Sequence, residues 1–243
     1  MIPRLPISVR PPPSDSSSAH IGSTPTKPQV NFATVEKKSL RAEEQKRKDV
    51  AEQRRRWKRA IADVDPSRLV FIDESGAKTN MTRLYGRAPR GQRVIEHTPG
   101  GHWCTTTMLA ALRHDRVEAP LVIEGAMDSL VFRGYVEQML LPILRLGDVV
   151  VMDNLSPHKT QGVQELIEGV GASVRYLPPY SPDFNPIESM WSKAKQSLRS
   201  AAARTHHRLV QAIGDALRSI TAKDCAGFFQ GYGYTATQKP RML

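Results

Sequence analysis

Residues 68–73 (RLVFID) and 148–153 (DVVVMD) are two short apolar runs, each of which ends in an aspartate. Continuous apolar runs of this length are typical of strands that are buried on both faces. A further strand is predicted at 173–177 (SVRYL), and the β-branched run at 103–112 (WCTTTMLAAL) predicts an antiparallel neighbour. Strands first, followed by alternating helices and strands, indicate an α/β fold in which helices flank a mixed sheet.

Apolar residues at helical spacing predict the helices that cover this sheet. The first runs from a cap at 128 or 129 to residue 144. The second starts at Ser156, with Pro157 in its first position, and ends near Gly169. After a loop, apolar residues recur at 187–201 and at 209–220, which predicts two more helices.

The formal charge of +11 is unevenly distributed along the chain. Residues 1–66 carry 14 Lys/Arg and 8 Asp/Glu, and residues 190–243 carry 9 and 2, whereas residues 67–189 carry 12 and 14. Basic flanks around a near-neutral centre are expected of an enzyme that acts on a polyanion, although charge alone accounts equally well for solubility. No apolar stretch approaches the roughly 20 residues of a membrane-spanning helix, and no secretory signal is recognisable, so a soluble cytoplasmic protein without a membrane partner is expected.

Composition divides the chain into four predicted segments. Residues 1–35 are rich in Pro and Ser and have little to bury, so a disordered tail is predicted. Residues 36–66 form a basic helical linker with a sparse apolar stripe, which is either solvated or lies along DNA. The catalytic α/β unit is predicted at 67–204 and a helical extension at 205–243.

Three acidic residues, Asp73, Asp153 and Glu188, stand at the ends or starts of predicted elements. Residues 154–187, 34 in number, separate the second from the third. Carboxylate oxygens suit Mg²⁺, and two cations roughly 4 Å apart stabilise both the attacking and the leaving oxygens in phosphodiester chemistry. A mixed sheet could bring these three ends together, so they are predicted to form a divalent-metal site for that chemistry.

Each of these residues also has a purely structural interpretation. An Asp at the end of a strand can cap the segment that follows it. Asn185 and Glu188 fit a helix start in which Asn185 is the N-cap and Glu188 closes a capping box. Capping does not exclude coordination. Asn154 and His158 flank the second aspartate, and together with Asn185 they are predicted to contact substrate or support the carboxylates; a turn and an exposed helix position are the alternatives.

Basic side chains without an intervening acid fill residues 78–93 (KTNMTRLYGRAPRGQR). In a hairpin just after Asp73 they would contact phosphates near the site, and each neutralised phosphate contributes about −0.9 to the slope of log affinity against log salt. A solvated loop is the alternative. The residues predicted to bind DNA are Lys78, Arg83, Arg87, Arg90 and Arg93, with Lys193 and Lys195 on a later helix.

Three motifs resemble those of a known family. They are FIDESGAKTNMTRLYGRAPRGQR (71–93), VVMDNLSPHK (150–159) and YLPPYSPDFNPIE (176–188). They are similar to the catalytic-domain motifs of DDE transposases of the insertion-sequence-630 family, bacterial relatives of mariner-type elements. The resemblance runs from about residue 36 to 234, and the third motif with its spacing is the most specific part of it.

The resemblance implies a ribonuclease-H-like fold in which Asp73, Asp153 and Glu188 bind two Mg²⁺ ions, with Mn²⁺ as a substitute. It also implies hydrolytic nicking at element ends and attack of the freed 3′-hydroxyl on target DNA, usually at a TA dinucleotide. The implied partners are the element ends, target DNA and further copies of the chain on that DNA. The implied location is the bacterial nucleoid.

One departure from the family pattern concerns the N-terminal side. Family members usually carry a helix-turn-helix region there that recognises the terminal inverted repeats, whereas this chain has Pro/Ser-rich sequence. A truncated copy, or the downstream product of a split frame that works with an upstream helix-turn-helix protein, is expected. Two other functions remain open at this stage: a non-catalytic DNA-binding remnant or regulator, and a nuclease without strand transfer.

Overall fold

Five strands form one mixed sheet in the computed structural model, which describes residues 42–83, 85–89, 91–98, 100, 105–154 and 162–235. The strands are β1 (Leu69–Lys78), β2 (Thr105–Leu112), β3 (Val117–Glu124), β4 (Val149–Met152) and β5 (Ser173–Tyr176). Their order across the sheet is β3-β2-β1-β4-β5. β1 and β2, and β2 and β3, are antiparallel, whereas β1 and β4, and β4 and β5, are parallel. The predicted mixed sheet is confirmed.

Helices cover both faces of this sheet. The α-helices of the described residues are α1 (Lys48–Ala62), α2 (Ser129–Tyr135), α3 (Val163–Gly169), α4 (Ile187–Ala201), α5 (His206–Arg218) and α6 (Ala222–Gly231). Asp128 caps α2 as predicted, because its side chain accepts a hydrogen bond of 2.8 Å from the Val131 amide. The predicted tail at 1–35 and the predicted helix start at Ser156 lie outside the described residues.

β1 is longer than its apolar run predicts. It continues from Asp73 to Lys78, because residues 74–78 remain paired with β2. Lys78 is therefore a strand residue and does not belong to a hairpin that follows Asp73 directly. β3 was not predicted at all, since its sequence contains Pro120, which a strand tolerates at the exposed edge of a sheet.

Alternate residues of the central strands enter two separate cores, because successive side chains of a strand point to opposite faces. Leu69 and Phe71 of β1 pack with α4, α5 and α6, whereas Val70 and Ile72 pack with α2 and α3. Residues of β4 alternate in the same way. The face that receives α4 is the one that matters for the acidic residues.

The basic helix α1 packs against that same core. Val50 and Trp57 are buried, and Ile61 and Val64 are partly buried against the cluster. The predicted apolar stripe is thus a packing surface, and the opposite side of α1 carries exposed basic residues. None of the helices in the described part of the chain is both long and apolar enough to cross a membrane.

Candidate active site

Asp73 lies in β1, and Asp153 directly follows β4, the parallel strand beside it. Phe71 of β1 is opposite Val151 of β4, and each aspartate lies two residues further along its own strand direction. Neighbouring strands are about 4.8 Å apart, and positions of equal parity face the same side of a sheet. The two carboxylates therefore start from adjacent backbone positions on the face that carries α4. Glu74 starts from the opposite face.

Asp73 is buried, and hydrogen bonds from Glu74 and Asn185 orient its carboxylate. Its exposed fraction is 9%. Oδ1 accepts a bond of 2.8 Å from the Glu74 amide, and Oδ2 accepts a bond of 3.1 Å from Asn185 Nδ2. The bond from Asn185 also ties the third motif directly to the first.

Asn185 does not cap α4, which corrects the structural interpretation of this motif. Pro186 holds the cap position, and no side chain there bonds to the helix backbone. The amide nitrogen of Asn185 is turned toward Asp73, and its Oδ1 is buried and has no hydrogen-bond partner among the described residues. Glu188 is the second residue of α4 and is exposed, so its side chain is free of the predicted capping box.

The three acidic residues line one cavity of about 380 Å³. Asn154 and Asn185 contribute to the same lining, as does the loop at 177–182. Within the described residues, however, no three His, Cys, Asp or Glu side chains are close enough to hold a single ion together. The carboxylates thus share a cavity without converging on one point. His158 lies outside the described residues.

The donor set of this cavity suits a hard divalent cation. Three carboxylates offer oxygen atoms to this cavity, and Asn185 Oδ1 is a buried carbonyl oxygen that accepts no hydrogen bond from the part of the chain that the structure describes. Mg²⁺ and Mn²⁺ prefer carboxylate and carbonyl oxygens, and Mg²⁺ retains several waters, so few protein ligands are needed. Asp73, Asp153 and Glu188 could hold such an ion after rotation of the exposed Glu188 side chain.

The loop at 178–186 is braced by α1, a feature that the sequence analysis missed. Arg54 Nη1 donates to Ser181 Oγ over 2.7 Å, and the two terminal nitrogens of Arg54 contact both carboxylate oxygens of Asp183 over 2.9 and 2.6 Å. The guanidinium also lies 4.2 Å from the centre of the Phe184 ring. The signal was present in the sequence, since Arg54 interrupts the apolar stripe of α1 between Val50 and Trp57.

Most basic residues of the first motif are exposed. Arg83 Nε donates to Ser200 Oγ of α4 over 3.2 Å. Arg83 lines a cavity of about 550 Å³ together with Tyr85 and Arg199. The exposed basic residues of this motif are Lys78, Arg83, Arg87 and Arg93, whereas Arg90 lies outside the described residues.

The two basic residues predicted on α4 have different surroundings. Lys193 Nζ lies 2.5 Å from Asp224 Oδ2 of α6, so its charge is already paired within the protein. Lys195 is half-buried. A phosphate contact at Lys193 would therefore have to compete with Asp224.

Solved structures of Mos1 mariner transposase resemble this chain in fold. The Mos1 strand transfer complex matches with a TM-score of 0.63 at 14% identity, covering 84% of this chain and 63% of the Mos1 chain. A Mos1 paired-end complex with Mg gives 0.61 at 15% identity, covering 84% and 63%. The isolated Mos1 catalytic domain gives 0.52 at 14% identity, covering 80% and 89%. The mixed sheet with its flanking helices is thus the ribonuclease-H-like fold of these catalytic domains.

The chain spans less than two thirds of the Mos1 chain in the strand transfer complex. No curated protein matches it at a significant level. A family model described as DDE superfamily endonuclease matches residues 68–210, which are more than half of the chain and include all three acidic residues. On this match, and with the fold in agreement, the chain belongs to the DDE superfamily endonucleases.

Proposed function

We propose that this chain is the catalytic part of a transposase of the insertion-sequence-630 type. It nicks DNA at the ends of a mobile element and joins the freed 3′-hydroxyl to target DNA. The observation that carries the proposal is that Asp73, Asp153 and Glu188, one from each motif, line the same cavity. Membership of the DDE superfamily and the fold shared with Mos1 transposase support it further.

Divalent metal is part of the proposal. Mos1 complexes have been solved with Mg and with Mn, and the carboxylates that line the cavity suit either cation. When bound, two such ions would stabilise the negative charge that develops on the attacking and leaving oxygens of the phosphodiester. Asp73, Asp153 and Glu188 would be their ligands.

The residues around these ligands have separate roles in the proposal. Asn185 fixes the orientation of Asp73 through its amide nitrogen. Asn154, which is exposed at the same cavity, is placed to contact the DNA strand or a bound water. The exposed arginines of the first motif, Arg83, Arg87 and Arg93, would contact phosphates, because Arg forms bidentate bonds with such groups.

The proposed reaction has two steps. In the first, a water oxygen attacks the phosphorus at the element end, and the bond to the 3′-oxygen breaks to give a 3′-hydroxyl. In the second, that 3′-oxygen attacks a phosphorus of the target strand, and the target 3′-oxygen leaves. The first step replaces a bond from phosphorus to a 3′-oxygen with one to a water oxygen, and the second replaces such a bond with one to the attacking 3′-oxygen. Neither step requires an oxidant or a nucleotide cofactor.

End recognition and assembly are further proposals. The comparison structures include complexes of Mos1 transposase with transposon ends. By analogy, this chain would act as a homo-oligomer on paired ends, with sequence recognition supplied by a helix-turn-helix region encoded upstream. An upstream frame of that kind between inverted repeats, found in the flanking DNA, would support this part. Flanks without inverted repeats would contradict it.

Nicking of labelled duplex DNA tests the function. The full chain is incubated with the inverted repeats that flank its gene, together with the upstream helix-turn-helix protein that supplies end recognition, and with Mg²⁺ or Mn²⁺ or with chelator. Metal-dependent nicking is expected in the wild type and in the control Asp63→Asn, whose residue is exposed after α1, but not in Asp153→Asn. Nicking retained in Asp153→Asn would remove that residue from the site.

A second substrate separates the proposed transfer from simpler functions. A pre-cleaved end with a free 3′-hydroxyl is offered together with target DNA. Joined products support a transferase. Nicking without joining would indicate a nuclease, and DNA binding without either, unchanged in Asp153→Asn, would indicate a non-catalytic DNA-binding protein.

A further inference from the structure

The loop at 178–186 carries an unusual conformation into the candidate metal site. Tyr180 has a φ of +54°, in the left-handed region that residues other than glycine rarely adopt. The same loop leads directly to Asn185 and Glu188, and Tyr180 lines the cavity with them. Residues in such conformations persist only where their surroundings over-determine them. The contacts that hold this loop therefore bear on the geometry of the site.

Two residues that precede β1 in the sequence supply those contacts. Gln45 Nε2 donates to the carbonyl oxygen of Tyr180 over 2.7 Å. Arg54 reaches Ser181 and grips Asp183 through both carboxylate oxygens. Ser181 Oγ in turn donates to the Pro179 carbonyl oxygen over 3.0 Å, which closes the turn around Tyr180.

Arg54 is held too tightly to be a solvated basic residue. Its side chain is 14% exposed, against 40% for that of Asp183. Its guanidinium stacks on Phe184, which is itself buried. A planar guanidinium that binds a carboxylate with two nitrogens and stacks on a ring fixes direction as well as distance. A phosphate contact by Arg54 would compete with these interactions.

We propose that Arg54 is a positioning residue for the candidate metal site: from α1 it holds the loop at 178–186 so that Asn185 and Glu188 lie beside Asp73. Asp183 and Phe184, which Arg54 contacts, directly precede Asn185. A shift of the loop would therefore break the bond from Asn185 to Asp73 before it disturbed the strands. This inference rests on the proposed function of the site.

Two measurements on the full chain test the inference. Mn²⁺ affinity is measured by electron paramagnetic resonance, and hydrogen exchange is measured for amides of the loop at 178–186 without metal. Arg54→Ala is expected to raise exchange in the loop and to weaken Mn²⁺ binding about tenfold, the lower end of the range for residues that orient metal ligands. Arg54→Lys should recover part of both, because an ammonium keeps the charge but loses the two-nitrogen geometry.

Matched variants keep the test decisive. Arg59→Ala, at an exposed position of the same helix, should leave both readouts at the wild-type level. Asp183→Asn removes the carboxylate that Arg54 binds, so it should raise loop exchange and weaken Mn²⁺ binding as Arg54→Ala does. It therefore tests the same contact even if Arg54→Ala folds poorly. Unchanged exchange in the loop would overturn the bracing role. Raised exchange with unchanged Mn²⁺ affinity would overturn the positioning role and leave a merely structural contact.

The failure of the proposed function would look different. In that case wild-type protein would bind no Mn²⁺, and Asp73→Asn and Asp153→Asn would behave like wild type. Only that result would mean that Arg54 has no metal site to position. The exchange measurement would still report whether Arg54 holds the loop, since it is made without metal.

Discussion

Asn185 Nδ2 donates a hydrogen bond of 3.1 Å to Asp73 Oδ2 across 112 residues of sequence. Both side chains are buried, with exposed fractions of 4% and 9%. Within residues 42–235 as far as they are described, the remaining oxygen of Asn185 has no hydrogen-bond partner, although a buried carbonyl oxygen without one is costly. This pair therefore fixes one carboxylate of the cavity and leaves the Asn185 carbonyl oxygen next to it, where it could serve as a further ligand to the proposed metal.

Replacement of Asn185 should alter metal binding more than folding. Asn185→Ala loses the bond to Asp73 and the adjacent oxygen, so Mn²⁺ affinity is expected to fall about tenfold. Asn185→Asp should instead increase the stabilisation that Mn²⁺ provides. A second buried carboxylate beside Asp73 would lower the melting temperature without metal, and Mn²⁺ should restore more of it than in the wild type.

Thermal melts with and without Mn²⁺ and a binding titration check both expectations. Asn80→Ala, outside the cavity lining, is the control. An Asn185→Asp protein as stable as wild type in the absence of metal would show that the two side chains are not held together.

The sequence predicted the parts of the site that depend on local pattern. Asp153 follows an apolar run that becomes β4, and Asp73 lies in a run that becomes β1, because burial on both faces dictates continuous apolar residues. Asn185 was harder. Its local context matches a helix cap, and only the packing of α4 against β1 makes Asp73 available as the better partner.

The role of Arg54 also depends on a tertiary partner that the sequence could not predict. Its position within the apolar stripe of α1 was visible, but its partner Asp183 lies 129 residues away. A tertiary contact of that range leaves no periodic trace in the sequence. β3 escaped prediction for a different reason, since Pro120 and polar residues are tolerated only because that strand forms the edge of the sheet.

The exposed arginines between β1 and β2 should set the salt dependence of DNA binding. Replacing Arg83, Arg87 and Arg93 together by Ala is expected to make the slope of log affinity against log salt shallower by about 2 to 3, if each contacts one phosphate of duplex DNA. Fluorescence anisotropy at several salt concentrations measures the slope. Arg133→Ala, on α2 across the sheet and paired with Glu137, should leave it unchanged. Equal slopes for the triple variant and wild type would assign these residues to a solvated loop.

Phe229 tests whether the C-terminal helices fold as a separate extension, as predicted for 205–243. Its ring packs edge-on against Phe71 of β1 with 5.4 Å between centroids, and it is 1% exposed. Phe229→Ala should lower the free energy of unfolding by about 3–5 kcal/mol and shift one cooperative urea transition. The neighbouring Phe228 is only partly buried, so Phe228→Ala should cost less. Two separate transitions would instead support an independent extension.

Acid should weaken the attachment of α6 through Asp224. The hydrogen bond from Lys193, followed by those from Thr221, lowers the pKa of Asp224 to about 2. A lowered carboxyl pKa stabilises the folded state above the ordinary value of about 4, and this contribution is lost as the pH falls through about 2. Lys193→Met should therefore move the acid-unfolding midpoint to higher pH, measured by circular dichroism at low salt, where such a partly exposed pair is least screened.

Lys223→Met is the matched control for Lys193→Met, since Lys223 is exposed on α6 beside Asp224. It removes the same charge without removing the bond, so its midpoint should stay near that of wild type. An identical midpoint in Lys193→Met and wild type would mean that the ion pair does not hold α6 in solution.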